Sequence, residues 1–154
     1  MAKAARKIPE GHPTVSPYLI VDGAGRAIDF YIRAFGATEK FRLEAPGGKI
    51  GHAEIRIGDS VIMLADEHPE VGANAPAHYK GSPISLHVWV EDVDAVATQA
   101  IAAGAKVKRP VQDMFYGDRM GTFEDPFGHT WHVSTHIEDL TPEEIGRRAA
   151  AQKH

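Results

Sequence analysis

Three histidines in one ten-residue stretch are the first chemistry the chain offers: His129, His132 and His136 in FGHTWHVSTH. Intervals of three and four would put the imidazoles on one side of a helix, in the manner of a zinc site. The neighbouring residues argue for a strand instead. Asp125-Pro126-Phe127-Gly128 reads as a turn, with Pro second and Gly fourth, and HTWHVSTH alternates and includes Trp, Val and Thr. On a strand His129 and His132 point to opposite faces, and His132 and His136 stand roughly 13 Å apart. One ion at about 2.1 Å from each nitrogen does not bridge that gap. His132 remains as a candidate, and its role depends on what shares its face.

A second set, His52, Glu54 and Arg56, alternates along KIGHAEIRIG. The Gly58-Asp59 pair that follows has glycine first, as a two-residue type II′ hairpin requires. That turn sets Ile57 opposite Ser60, Arg56 opposite Val61, Glu54 opposite Met63 and His52 opposite Ala65. One face then carries Ala53, Ile55, Ile57, Ile62 and Leu64 and must cover a helix. The other mixes His52, Glu54 and Arg56 with Val61, Met63 and Ala65, and two readings of it stay open. It is a solvated face with cross-strand charge pairs, or the wall of a ligand cavity in which Glu54 serves as acid, base or acceptor. His87 and Trp89 likewise share a strand face, as an edge aromatic beside an exposed histidine or as a stacking surface with a polar handle. Trp131 alternates to the helix side and reads as core. In YGDRMG, Asp118 and Arg119 either satisfy local backbone, or Tyr116 and Arg119 hold an anionic or phenolic group at a cavity mouth. Histidine and glutamate together form a general acid–base couple near neutral pH.

These candidates sit on a repeated plan. Residues 18–36 give a short apolar run, a Gly-rich turn and a helical pattern through Ile28, Tyr31, Ile32 and Phe35, closed by Gly36. Residues 86–104 do the same, with Asp92 as N-cap, an apolar stripe from Val93 to Ile101, and Gly104 at the end. Three strand-like segments follow each helix, so the chain reads as two βαβββ modules, an internal duplication. Module one spans 14–68 and module two 84–137 of a single domain. A Gly-, Pro- and Ala-rich linker, 69–83, joins them. Residues 1–13 read as a flexible arm, and 138–154 as a C-terminal helix with Thr141 as N-cap, Pro142 at N1 and Glu144 at N3.

The composition narrows the function. With 154 residues, 43% of them apolar, there is enough material for one real core. A net charge of −4 and the lack of a basic stripe argue against nucleic acid. No apolar run approaches ~18 residues, so no membrane span is expected. The basic N-terminus lacks the apolar run of a secretion signal, which favours the cytoplasm. Without cysteine, disulfides, zinc-thiolate sites and thiol nucleophiles are excluded.

Together, AIDFYIRAFGA, VEDVDAVATQAIAAGA and DPFGHTWHV resemble the vicinal oxygen chelate superfamily of glyoxalase I, bleomycin-resistance proteins and extradiol dioxygenases. HAEIRIGDSVIMLADE and YGDRMGTFEDPFG resemble its PhnB-like subgroup. The resemblance covers residues 14–137 and implies an α+β fold of two βαβββ modules with open, curled mixed sheets, and a homodimer. It also implies a concave face lined by Ser16, Tyr18, Ile20, Met63, Ser85, His87, Trp89, His132 and Ser134, which parity extends to His52, Glu54 and Arg56. The superfamily's four metal ligands fall on Ser16, Met63, Ser85 and His132, of which His132 alone suits a divalent ion. No cofactor is therefore expected; the alternative is Zn, Ni, Mn or Fe at a relocated site of His52, Glu54 and His132. The function expected is binding of a small molecule on the concave face, without the usual metal quartet. The alternative is a glyoxalase-type lyase or isomerase that uses Glu54 and His132, facing a shared hollow, for proton transfer.

Overall fold

The computed structural model describes residues 5–152. Module one runs β1 (Tyr18–Val21), α1 (Ala24–Phe35), β2 (Thr38–Glu44), β3 (Ile50–Ile57) and β4 (Ser60–Asp66). Module two runs β5 (Ser85–Trp89), α2 (Val93–Ala103), β6 (Lys106–Asp113), β7 (Asp118–Glu124) and β8 (Thr130–His136), and α3 (Pro142–Ala150) follows. Each module forms one four-stranded mixed sheet, ordered β1-β4-β3-β2 and β5-β8-β7-β6. In both, the first strand lies parallel to the last and the remaining pairings are antiparallel. The two sheets therefore repeat one topology, as the duplicated sequence plan requires.

Local chemistry explains the elements. Gly58 takes φ 58° at the β3–β4 turn, and the strands pair Ile57 with Ser60, Arg56 with Val61 and Glu54 with Met63. Gly36 ends α1 in the left-handed region at φ 69°. Asp92 caps α2 by accepting from the Ala95 N–H, and Thr141 caps α3 by accepting from the Glu144 N–H. Helix α1 has no side-chain cap of its own. Asp66, at the end of β4, substitutes: its Oδ1 accepts from the N–H groups of Gly23 and Ala24, and its Oδ2 from Ile50, each at 2.8 Å. Burial alone would raise this carboxyl, but the three backbone donors bring it below its ordinary range.

The core lies on the helix side of both sheets. Ala53, Ile55, Ile62 and Leu64 join Ile28, Phe30 and Tyr31 of α1, and the same cluster takes in Val93, Ala97 and Ala100 of α2 with Phe123, Trp131 and Val133. The helices also pack on one another. The link between modules is polar as well as apolar. The Tyr31 hydroxyl donates to Asp125 Oδ2 at 2.6 Å, Trp131 Nε1 donates to the same oxygen at 2.9 Å, and Asp125 Oδ1 accepts from the N–H groups of Phe127 and His129. His129 points away from the face of His132 and bonds the Ile20 carbonyl at 2.9 Å.

Candidate functional site

With the apolar faces spent on the helices, the mixed faces of the two sheets are left for chemistry. On module one, Tyr18 pairs with Met63 and Glu54 with Met63 across neighbouring strands, so Tyr18, His52 and Glu54 share one surface. His52 Nε2 lies 2.9 Å from Glu54 Oε2, and Tyr18 Oη lies 2.8 Å from His52 Nδ1. A third group comes from outside the sheet: His12 Nε2 is 2.8 Å from Glu54 Oε1. The segment carrying it is held by Arg56, which donates to the Gly11 carbonyl at 3.2 Å. Glu54 thus has an imidazole on each oxygen. The hydrogen bond from His52, reinforced by His12, keeps its carboxyl below the usual range despite partial burial. Burial, and then the Glu54 charge, push the Tyr18 phenol up.

Tyr18 also edges a hollow of about 500 Å³ at one end of this face. Ile20 and Ala65 help line it, with Ala45, Pro46 and Val71 from the flanking turns and Lys49, Glu67, His68 and Glu70 at polar points. That volume is in the range of small-molecule sites.

On module two, the register places Ser85, His87, Trp89, Met120, Thr122, His132 and Ser134 on a common face. Thr122 Oγ1 lies 2.9 Å from His132 Nδ1 and Ser85 Oγ lies 3.1 Å from its Nε2. His87 bonds Ser134 Oγ at 2.7 Å and stacks on Trp89 with ring centroids 4.0 Å apart. Burial, with the nearby His132, lowers the His87 pKa, so this ring is neutral near pH 7. Trp89 is 60% exposed. A groove of about 910 Å³ runs along β5 to the tip of the β3–β4 hairpin, lined by Ser85, His87 and Trp89 against Val15, Val61 and Ile84.

The residues singled out in the sequence therefore fall into groups. Tyr18, His52, Glu54 and Met63 meet on module one, with Arg56 pinning the N-terminal segment. Ser85, His87, Trp89 and His132 meet on module two, and Tyr116 reaches the same face through its contact with Met120. Among the described residues no hydrogen bond, ion pair or ring contact joins Glu54 to His132, so each carries its own network. Arg119 lies on the helix side of β7, where Asp94 takes its guanidinium at 2.9 and 3.0 Å and Asp113 at 3.0 Å. His12 escaped the sequence reading. The signal that could have found it is Pro9-Glu10-Gly11-His12, a type II turn sequence: Gly11 sits at φ 80° and the His12 N–H bonds the Pro9 carbonyl.

The donor set implied for a metal does not fit one. Met63 offers a thioether, Ser85 a hydroxyl already bonded to His132, and both nitrogens of His132 face hydroxyls. Among the described residues no cluster of three or more His, Asp or Glu side chains is arranged to hold an ion.

Duplicated βαβββ modules, each presenting a polar-lined sheet face opposite its helix, define a class of fold in which chemistry varies while the scaffold is kept. Residues 11–133 match the Glyoxalase/Bleomycin resistance protein/Dioxygenase superfamily, and the chain belongs to that family. An uncharacterized protein of Mycobacterium tuberculosis, Rv0887c, is 39% identical over 143 residues, which cover 91% of this chain and 84% of the mycobacterial one. The crystal structure of TioX from Micromonospora sp. ML1 superposes with a TM-score of 0.62 at 27% identity, covering 84% of this chain and all of TioX. A PhnB protein from Bacillus cereus shares the fold, with a TM-score of 0.60 at 20% identity over 80% of this chain and 99% of its own. No helix is long and apolar enough to cross a membrane among the described residues.

Proposed function

We propose that the chain binds a small organic molecule on the outward faces of its sheets, without the four-ligand metal centre, and that a second copy supplies the opposite wall. The observation that carries this reading is the His12–Glu54–His52–Tyr18 chain ending at the edge of an apolar hollow. Two imidazoles on one carboxylate, one of them continuing to a tyrosine hydroxyl, are more than the cross-strand charge pairing of a solvated face requires. The homodimer is supported by large apolar side chains left open near the first strands of both modules: Val15 at 81%, Ile84 at 68% and Trp89 at 60% exposure. Pairing the face of module one on one copy with that of module two on the other would bring Glu54 and His132 into the same hollow. The same residues support a second reading as a glyoxalase-type lyase or isomerase, because a histidine–carboxylate couple moves protons near neutral pH.

Thermal-shift measurements against a panel of aromatic antibiotics and small organic acids test the binding reading, with sedimentation velocity for the dimer. Saturable stabilisation by a panel member, lost on Glu54→Gln, is expected; a melt that no member moves sinks it. Elemental analysis and a methylglyoxal–glutathione assay with added Ni or Zn separate the two readings. Stoichiometric metal or Glu54-dependent turnover would favour the enzyme.

A further inference from the structure

The bonds around Glu54 have a fixed direction, and that direction selects a ligand. An ionised carboxylate only accepts, so the Nε2 atoms of His12 and His52 that face it at 2.8 and 2.9 Å both carry hydrogen. In the His52 ring that carries its one hydrogen on Nε2, Nδ1 has a lone pair, and the Tyr18 hydroxyl 2.8 Å away donates to it. With its hydrogen given to His52, the Tyr18 oxygen keeps a lone pair to accept from a ligand. Glu54, His52 and Tyr18 form a carboxylate–imidazole–hydroxyl series, the arrangement by which a histidine, oriented by an acid, draws a proton from a hydroxyl. Here the hydroxyl is a phenol, on a residue that lines a hollow shared by apolar side chains such as Ile20, Ala65 and Val71.

We infer that Tyr18 is a binding residue for ligands bearing a weakly acidic hydroxyl, of the phenol or enol class, and that His52 and Glu54 behind it position the bound ligand's proton for transfer. This rests on the binding reading above and names its ligand class. The ligand donates its O–H to Tyr18 Oη. Transfer breaks the ligand O–H bond as its proton passes to Tyr18 Oη, while the proton of Tyr18 passes to His52 Nδ1. The bound species is a phenolate or enolate, Tyr18 is again a neutral phenol, and His52 is an imidazolium against Glu54. One proton has moved from ligand to His52, and nothing is oxidised or reduced. The Tyr18 phenol, pushed up by burial and the Glu54 charge, relays the proton and stays neutral at either end of the transfer. The other charged groups at the hollow are Lys49, Glu67, His68 and Glu70, with Asp66 turned to the backbone of α1. His12 and Arg56 act from the far side of Glu54. At the rim Glu67 accepts from the Ala75 N–H at 2.9 Å and Glu70 lies 3.1 Å from His68 Nε2, and the charge of these two carboxylates disfavours a ligand that arrives already as a carboxylate.

The probe is 4-nitrophenol, whose phenolate is coloured, titrated into the full-length protein at a pH where the free compound is mostly protonated. Binding is expected to raise the phenolate absorbance. Tyr18→Phe and His52→Gln, each first checked for an unchanged circular dichroism spectrum, should abolish that rise. Tyr18→Phe should also weaken binding about tenfold, the size of one lost hydrogen bond. 4-Nitrobenzoate, which has no donor at neutral pH, should bind wild type and Tyr18→Phe alike. Failure of 4-nitrophenol to bind, binding without the spectral rise, a rise surviving in Tyr18→Phe, or a Tyr18-dependent preference for 4-nitrobenzoate would each overturn the inference. If antibiotics or acids of the panel bind while 4-nitrophenol does not, the binding reading stands and this ligand class falls.

Discussion

Replacing Asp125 by alanine should cost the protein about 4 kcal/mol, because four donors converge on that carboxylate and all lose their acceptor at once. Asp125 is 4% exposed, Trp131 2% and Tyr31 0%, so water cannot easily take over for the Tyr31 hydroxyl or the Trp131 indole N–H. A stranded buried donor costs roughly 1–3 kcal/mol. The two side-chain donors set the bulk of the loss, and the N–H groups of Phe127 and His129 add to it. Asp125→Asn is the discriminating variant. Its remaining oxygen can still serve the two backbone donors, and the Tyr31 hydroxyl can turn to accept from the new amide. The Trp131 N–H then faces a donor and is stranded alone, for a loss of about 1–3 kcal/mol. Urea unfolding followed by tryptophan fluorescence gives both values, and in a chain of this size 1 kcal/mol moves Tm by about 2–4 °C. The hub also sets an alkaline limit. Burial first, then the Asp125 charge, raise the Tyr31 pKa well above 10.0, so the native state keeps a proton that the unfolded chain gives up. That contribution is complete below the ordinary tyrosine pKa and is lost as pH rises beyond it. If Asp125→Asn and Asp125→Ala unfold at the same urea concentration, or both within about 1 kcal/mol of wild type, the hub does not join the modules as described.

Asp66→Ala strips α1 of its borrowed cap and should lower stability by about 1–2 kcal/mol; because the native carboxyl is held low, the wild-type advantage is present above the unfolded carboxyl pKa and fades as pH falls through the native one, as melts across the acid range would show. His136 stands between Asp118 and Asp139, each at 2.7 Å, and the hydrogen bonds it donates to Asp118 and then Asp139 raise its pKa above 6.5. Its tie to the segment before α3 is therefore complete below that unfolded value and lost as pH rises through the native one, so amide exchange at 137–141, corrected for intrinsic rate, should quicken on the alkaline side and become flat with pH in His136→Gln. Gly117→Ala should destabilise by roughly 2–4 kcal/mol, since φ is +100° and the new Cβ would lie 2.5 Å from the Glu138 carbonyl oxygen. A normal melt for that variant would mean the 113–118 turn is not packed against the chain at Glu138.

Much of this protein is dictated within a few residues of itself. Gly58-Asp59 fixes the β3–β4 register because a two-residue turn leaves the flanking strands one way to pair, and strict alternation then decides that Ile55 goes to the helices while Glu54 goes to the opposite face. Asp92 and Thr141 cap their helices because a short side chain reaches the N–H three residues on. The same local rule turned three histidines from a helical zinc pattern into strand residues on alternating faces. Periodicity could not say which side chains arrive from elsewhere. His12 reaches Glu54 across 42 residues, and Tyr31 reaches Asp125 across 94. Arg119, a candidate for the cavity mouth, is held by Asp94 on α2. These meetings depend on how the two helices pack and how the N-terminal segment folds back, and packing is set by the summed burial of both modules rather than by any spacing along the chain. The sequence thus assigned each residue a face, and only the tertiary structure assigned it a partner.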